Sequence, residues 1–206
     1  VVQVERPKTS KGSTVTVDNL SGAREAMAHL LDLGHSRIAF VGEAPGWQKN
    51  PLAGYVEVQR YGAYREELEA RGLFNSRLVA FGHPYQLSDI DAHGLGYRAV
   101  IEWIRSGENF SAVFASSDML AAGVLQAIHE CGLSVPKDIS LVGFDDTLAP
   151  YLTPELTTVY LPAHEMGVAA AKLVLDQISG KAESSEQLRP LPTRLVVRAS
   201  TAPPND

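Results

Sequence analysis

The sequence predicts an α/β fold on a doubly wound parallel sheet, and three observations carry that prediction. Short β-rich apolar runs recur along the chain, and amphipathic segments with apolar residues at helical spacing separate them. Strands kept apart by helices pair as parallel βαβ units rather than as hairpins. Composition completes the case: 206 residues, 45% hydrophobic and 20% charged, can bury a substantial core without staples.

Taken in order, "VVQVER" opens the chain as a buried strand and "STVTVDN" (13–19) follows as a second. "SGAREAMAHLLDLG" (21–34) is a helix with Ala23, Met27, Leu30 and Leu31 on one stripe and Gly34 as its stop. "RIAFVG" (37–42) is a strand, followed by a long polar loop through "EAPGWQKNPLAGYVEVQ". "RYGAYREELEARG" (60–72) is a helix with Tyr61, Tyr64 and Leu68 on one face, and "RLVAFG" (77–82) is a strand. After the loop "HPYQLSDIDA" come the helix "LGYRAVIEWIRSG", the strand "SAVFAS" (111–116), the helix "DMLAAGVLQAIHECG" and the strand "ISLVGF". "TTVY" is a further strand, and Pro162 opens a helix whose stripe is Met166, Ala170, Leu173 and Val174. "GKAESSEQ" is a polar loop, "TRLVVR" the last strand and "APPND" a frayed tail.

Charge and cysteine usage narrow the function. The net charge of −6, from 18 basic and 24 acidic residues, argues against this segment gripping DNA phosphates. Cys131 is the single cysteine, which excludes an internal disulfide and a cysteine-cluster zinc site and suits a reducing cytoplasm. The opening residues lack the regions of a secretory signal, and no apolar run approaches a membrane span. A strand that begins at the first residue leads us to expect a piece of a longer chain.

In an open parallel sheet the strand C-termini converge on one crevice, where ligands bind. Arg60 ends the loop after one strand, and His83 and Tyr85 follow the next. Ser116, Ser117 and Asp118 follow a third, and the adjacent pair Asp145 and Asp146 a fourth. Paired aspartates with Asp118 as a third carboxylate would suit Mg²⁺. However, "VGEAPGW" lacks both GxGxxG and a GK[ST] ending, so no phosphate cradle accompanies them. Hydrolase chemistry lacks a G-x-S-x-G elbow, and the six histidines are scattered. Binding asks for less: carboxylates accept from ligand hydroxyls, an arginine fork donates, and an aromatic provides a platform. Arg60, Ser117, Asp145 and an aromatic such as Tyr85 or Trp47 supply that set.

Plainer readings stand beside these. Asp or Ser before "MLAAGVLQAI" is an ordinary helix N-cap, and Asp146 suits turn formation through side chain to backbone bonds. Arg60 also fits a solvated helix start, and His35 a helix C-terminal cap favoured by the dipole. The helix after Asp118 is apolar on more than one face, so it is buried on two sides. The plain reading is a central core helix.

The blocks "AMAHLLDLGHSRIAFVG", "GAYREELEARGL", "SAVFASSDMLAAGVLQAIHECGLSVPKDISLVGFDD", "YLTPELTTVYLPAHEMGVAAAKLVLDQI" and "LVVRAST" resemble, in order, the effector-binding region of LacI/GalR-family transcriptional regulators. The resemblance implies a periplasmic-binding-protein type I fold, with two doubly wound lobes around a cleft. It implies that residues 20–156 and 188–201 form the C-terminal lobe, and that 1–19 and 157–180 are the remnant of the N-terminal lobe. The family's helix-turn-helix domain would lie outside this chain, so operator DNA would be reached only through it.

By position, the resemblance makes Arg60 and Asp145 effector ligands. Ser117 stands where the family has an effector-contacting asparagine, a departure that changes the geometry. It makes Asp118 and Asp146 structural residues beside the cleft, and aligns Tyr85 as a platform across a longer loop. It further implies a cytoplasmic homodimer without cofactor or metal, and a rigid-body switch driven by a small effector. A sugar is favoured and a purine is the other candidate. An exported sugar-binding protein of the same fold is the alternative, and a Mg²⁺-dependent enzyme a third reading.

Overall fold

The computed structural model describes residues 1–6, 12–43, 55–82, 89–180 and 189–205. Two short parallel strands open it, β1 (Val2–Val4) and β2 (Ser13–Val15). The elements α1 (Asn19–Asp32), β3 (Ile38–Glu43), α2 (Tyr55–Glu69), β4 (Val79–Gly82) and α3 (Asp89–Arg105) follow. The chain continues through β5 (Ala112–Ala115), α4 (Asp118–Glu130), β6 (Ser140–Asp145), β7 (Thr157–Tyr160), α5 (Ala163–Ile178) and β8 (Arg194–Val196). Six strands form the main sheet in the order β4-β3-β5-β6-β7-β8, parallel except for the final β7–β8 pair. The α/β class with a mostly parallel sheet is thus as the sequence predicts.

Both faces of the sheet are covered, which is why its central strands read as continuous apolar runs rather than alternating ones. On one face α3 and α4 pack with Val113, Ala115 and Leu141. On the other, α1 and α2 bury Met27, Leu30, Tyr64 and Leu68 against Phe40, Phe114 and Phe144. A third, smaller cluster joins Val15 and Val17 to Met166 and Leu173 of α5. The expected division assigned 157–180 to the smaller unit, but β7 is hydrogen-bonded to β6 within the main sheet. Leu161, after β7, touches the small cluster. Leu191 bridges to Val17 and packs there too, so the stretch assigned to the larger unit also touches that cluster.

Two helices begin earlier than the periodicity predicts. α2 starts at Tyr55 rather than residue 60, so Arg60 sits inside the helix and not at its mouth. α3 starts at Asp89 rather than at residue 95, so Gly94 lies inside it. Gly96 has a packing reason: a Cβ there would lie 2.1 Å from the carbonyl oxygen of Leu120. Reciprocally, a Cβ on Gly123 would lie 1.9 Å from the carbonyl oxygen of His93. The pair lets α3 and α4 touch backbone to backbone. Buried by α3 on one side and the sheet on the other, α4 satisfies its all-round apolarity within this chain.

His35 is a core residue and not an exposed cap, at 3% exposure. Its Nε2 lies 2.9 Å from the Ala202 carbonyl, which can only accept, so Nε2 carries the proton. Nδ1 therefore accepts from the Ser111 hydroxyl at 2.9 Å. Burial pushes its pKa down, in keeping with the neutral ring. The dipole argument fails because both ring nitrogens are already committed inside. No described helix is long and apolar enough to cross a membrane.

Candidate functional site

Glu43, Ser116 and Asp145 stand at or just beyond the C-terminal ends of β3, β5 and β6, and the buried Arg60 reaches them from α2. The Arg60 Nε donates to Asn19 Oδ1 at 2.9 Å, and Nη1 donates to the Ser116 carbonyl at 2.6 Å. Nη1 also meets Asp145 Oδ1 at 3.4 Å, and the guanidinium carbon lies 3.6 Å from the centre of the Phe144 ring. Stacking and two fixed acceptors leave the fork one orientation. Its Nη2 has no hydrogen bond to another described residue.

Asn19 is held in turn. Its Nδ2 donates to Glu5 Oε2 at 2.8 Å, while Glu5 Oε1 accepts from the Val17 backbone at 2.8 Å. This chain of bonds ties the β1–β2 segment to the arginine. Sequence reasoning missed Asn19, Glu5 and Phe144. Asn19 reads as the end of a strand, and only its place after Asp18, a helix N-cap accepting from Ser21, hints at a junction.

Asp145 keeps 28% of its side chain exposed, yet crowding pushes its pKa up from 3.8 to about 7. Burial is the largest cause, Arg60 opposes it, and the nearby carboxylates Asp118 and Glu57 add to it. Glu43 is raised as well, by burial and by Glu57, against Arg6 and Arg60. The crevice is therefore acid-rich around one arginine, and an Asp145 that gains hydrogen-bond donors would ionise more readily.

Asp118 belongs to the scaffold. Fully buried, its Oδ2 accepts from the backbone N–H groups of Thr147, Leu148 and Ala149 at 2.8, 3.1 and 3.2 Å. Its Oδ1 accepts from the Thr158 hydroxyl at 2.7 Å. Burial raises its pKa and these bonds oppose the rise. Four donors already converge on this carboxylate, which marks it as a holder of the Thr147–Ala149 turn. Among the described residues no group of three or more His, Cys, Asp or Glu side chains is placed for a metal ion.

Ser117 is the N-cap of α4, its Oγ accepting from the Leu120 backbone at 3.3 Å. The cap uses one lone pair of the hydroxyl and leaves its O–H able to donate. Asp146 does not close its turn through its own backbone. It pairs with Arg198, whose Nη2 lies 2.7 Å from Asp146 Oδ1. Tyr85, Trp47 and His83 lie outside the described residues. The structure thus brings Arg60 and Asp145 together and gives Ser117, Asp118 and Asp146 structural partners.

A family model for a periplasmic binding protein-like domain matches residues 27–201. The HTH-type transcriptional regulator CelR of Thermobifida fusca is 35% identical over 191 residues, which is 91% of this chain and 52% of the relative. The chain spans about half the length of the curated relatives it matches. A structure of a CelR–cellobiose complex superposes with a TM-score of 0.81 at 32% identity, covering 97% of this chain and 58% of that one. A LacI family transcriptional regulator from Enterococcus faecium with bound ribose gives 0.80 at 29% identity, covering 99% and 71%. These relatives are transcriptional regulators and not enzymes. The chain belongs to the LacI/GalR family of transcriptional regulators, within their periplasmic binding protein-like effector-binding domain.

Proposed function

We propose that this chain is the effector-sensing part of a LacI/GalR-type repressor and that its effector is a small sugar. The observation that carries the reading is the Arg60–Asp145 pair: a guanidinium locked by Asn19, Ser116 and Phe144, with Nη2 unpartnered among the described residues, beside a carboxylate that keeps about a quarter of its surface exposed. Vicinal hydroxyls suit such a pair, because each hydroxyl accepts from the fork and donates to the carboxylate. Relatives solved with cellobiose and with ribose support the class. The whole regulator would act as a homodimer and reach operator DNA through a separate helix-turn-helix domain, releasing or recruiting it when sugar closes the cleft.

Calorimetric titration of the chain with ribose, cellobiose and a purine base tests the class. Saturable heat with a sugar, lost in Arg60→Met, is the expected outcome. Saturable heat with the purine alone would transfer the reading to nucleobases.

A further inference from the structure

Resting on the crevice reading above, we propose that Arg198 is a positioning residue for the effector site. Through Asp146 it holds the turn that aims Asp145 at Arg60. The backbone makes such a hold necessary. Asp145 has φ 110° and Asp146 φ 58°, both on the side of the φ axis that L-residues with a Cβ avoid. Two consecutive residues of this kind persist only where the surroundings over-determine them.

The described contacts show what does so. Downstream, Asp118 holds the N–H groups of Thr147, Leu148 and Ala149. The Leu161 N–H reaches the Asp145 carbonyl at 3.3 Å, which keeps β6 against β7. The Asp146 side chain is held from a distant part of the chain. Arg198 and Asp146 keep 15% and 12% side-chain exposure and meet at 2.7 Å. Asp146 Oδ1 has no aligned hydrogen bond, so the ion pair is what compensates its burial.

Arg198 is itself fixed: its N–H donates to Thr157 Oγ1 at 2.9 Å and its Nη1 to the Leu156 carbonyl at 2.8 Å. The strap that follows is stitched down in the same way. Ser200 Oγ accepts from the Thr157 N–H and donates to the Leu141 carbonyl, while the Ala202 carbonyl accepts from His35 and Ser140. Desolvation offsets much of the attraction in an ion pair this shielded, so its net contribution to stability is small. Here the conformation it selects is the one that presents Asp145.

The test follows the Asp145 carboxyl by ¹³C NMR titration in the wild-type chain, in Arg198→Met, and in the charge swap Asp146→Arg with Arg198→Asp. Ribose and cellobiose affinities are measured in parallel. We expect the Arg198→Met chain to stay folded, its Asp145 midpoint to fall from near 7 toward the ordinary carboxylate range, and sugar affinity to drop about tenfold or more. The charge swap should recover part of both. In an Asp145→Asn background, Arg198→Met should add no further loss of affinity.

An Arg198→Met chain with an unmoved Asp145 midpoint and affinity within about twofold would overturn the proposal. Should Arg198→Met not fold, Arg198→Lys supplies the same two readouts, because an ammonium keeps the charge but cannot span Asp146 and the Leu156 carbonyl together. Failure of both sugars on the wild-type chain counts against the crevice reading, while the titration still decides the role of Arg198.

Discussion

Asp145 carries the account at the scale of single residues, and its ionisation gives the first prediction. Its pKa is about 7 folded against 3.8 unfolded, so the native state binds the extra proton between those values. Stability therefore falls as pH rises from about 4 to about 7 and stays lower above that, by at most about 4 kcal/mol. Partial exposure keeps the real figure below that ceiling. Asp145→Asn should flatten this part of the profile, measured as urea midpoints between pH 4 and 8. An unchanged slope would mean that Asp145 is solvated like any surface aspartate. Arg60→Met should cost about 3 kcal/mol, because it strands the Asn19 and Ser116 oxygens in low-dielectric surroundings. Asp145 is legible in the sequence because it ends a strand, and strand ends in a parallel sheet share one crevice; Arg60 reaches that crevice from inside α2 rather than from a loop. Asn19, Phe144 and Arg198 are not legible there. Their importance comes from which side chain the fold places beside Arg60 or Asp146, and spacing along one chain does not encode that.

Elements show the same division between what periodicity reveals and what packing decides. Helices with a sustained apolar pattern, such as the striped α1 and the all-round apolar α4, fall close to where that pattern puts them. The first turns of α2 and α3 do not, because "YVEVQ" and "DIDAHG" carry no apolar stripe at helical spacing. Gly96 and Gly123 mark the closest approach of two helices. A methyl group at Gly123 has backbone against it, which cannot rotate away. Gly123→Ala should accordingly destabilise by about 3 kcal/mol, at the upper end for overpacking, while Gly167→Ala, at an exposed position of α5 with nothing within 4 Å, should not destabilise. Thermal unfolding of the two variants side by side checks this. Equal midpoints would show that α3 and α4 can slide apart at little cost.

For the whole molecule, the claim is that one crevice at the sheet's C-terminal edge senses a sugar, and that Glu5, Asn19 and Arg60 connect the β1–β2 segment to it. A ligand that binds only the folded chain stabilises it, by about 2.7 kcal/mol at a hundred times its dissociation constant. The most direct measurement is a thermal-shift panel of pentoses, hexoses, disaccharides and nucleobases on the wild-type chain, repeated with Asp145→Ala. The account predicts a dose-dependent upward shift with a sugar that disappears in the variant, whatever the variant's own baseline. A sugar shift that survives intact in Asp145→Ala would contradict it, because the ligand would then sit somewhere other than the crevice.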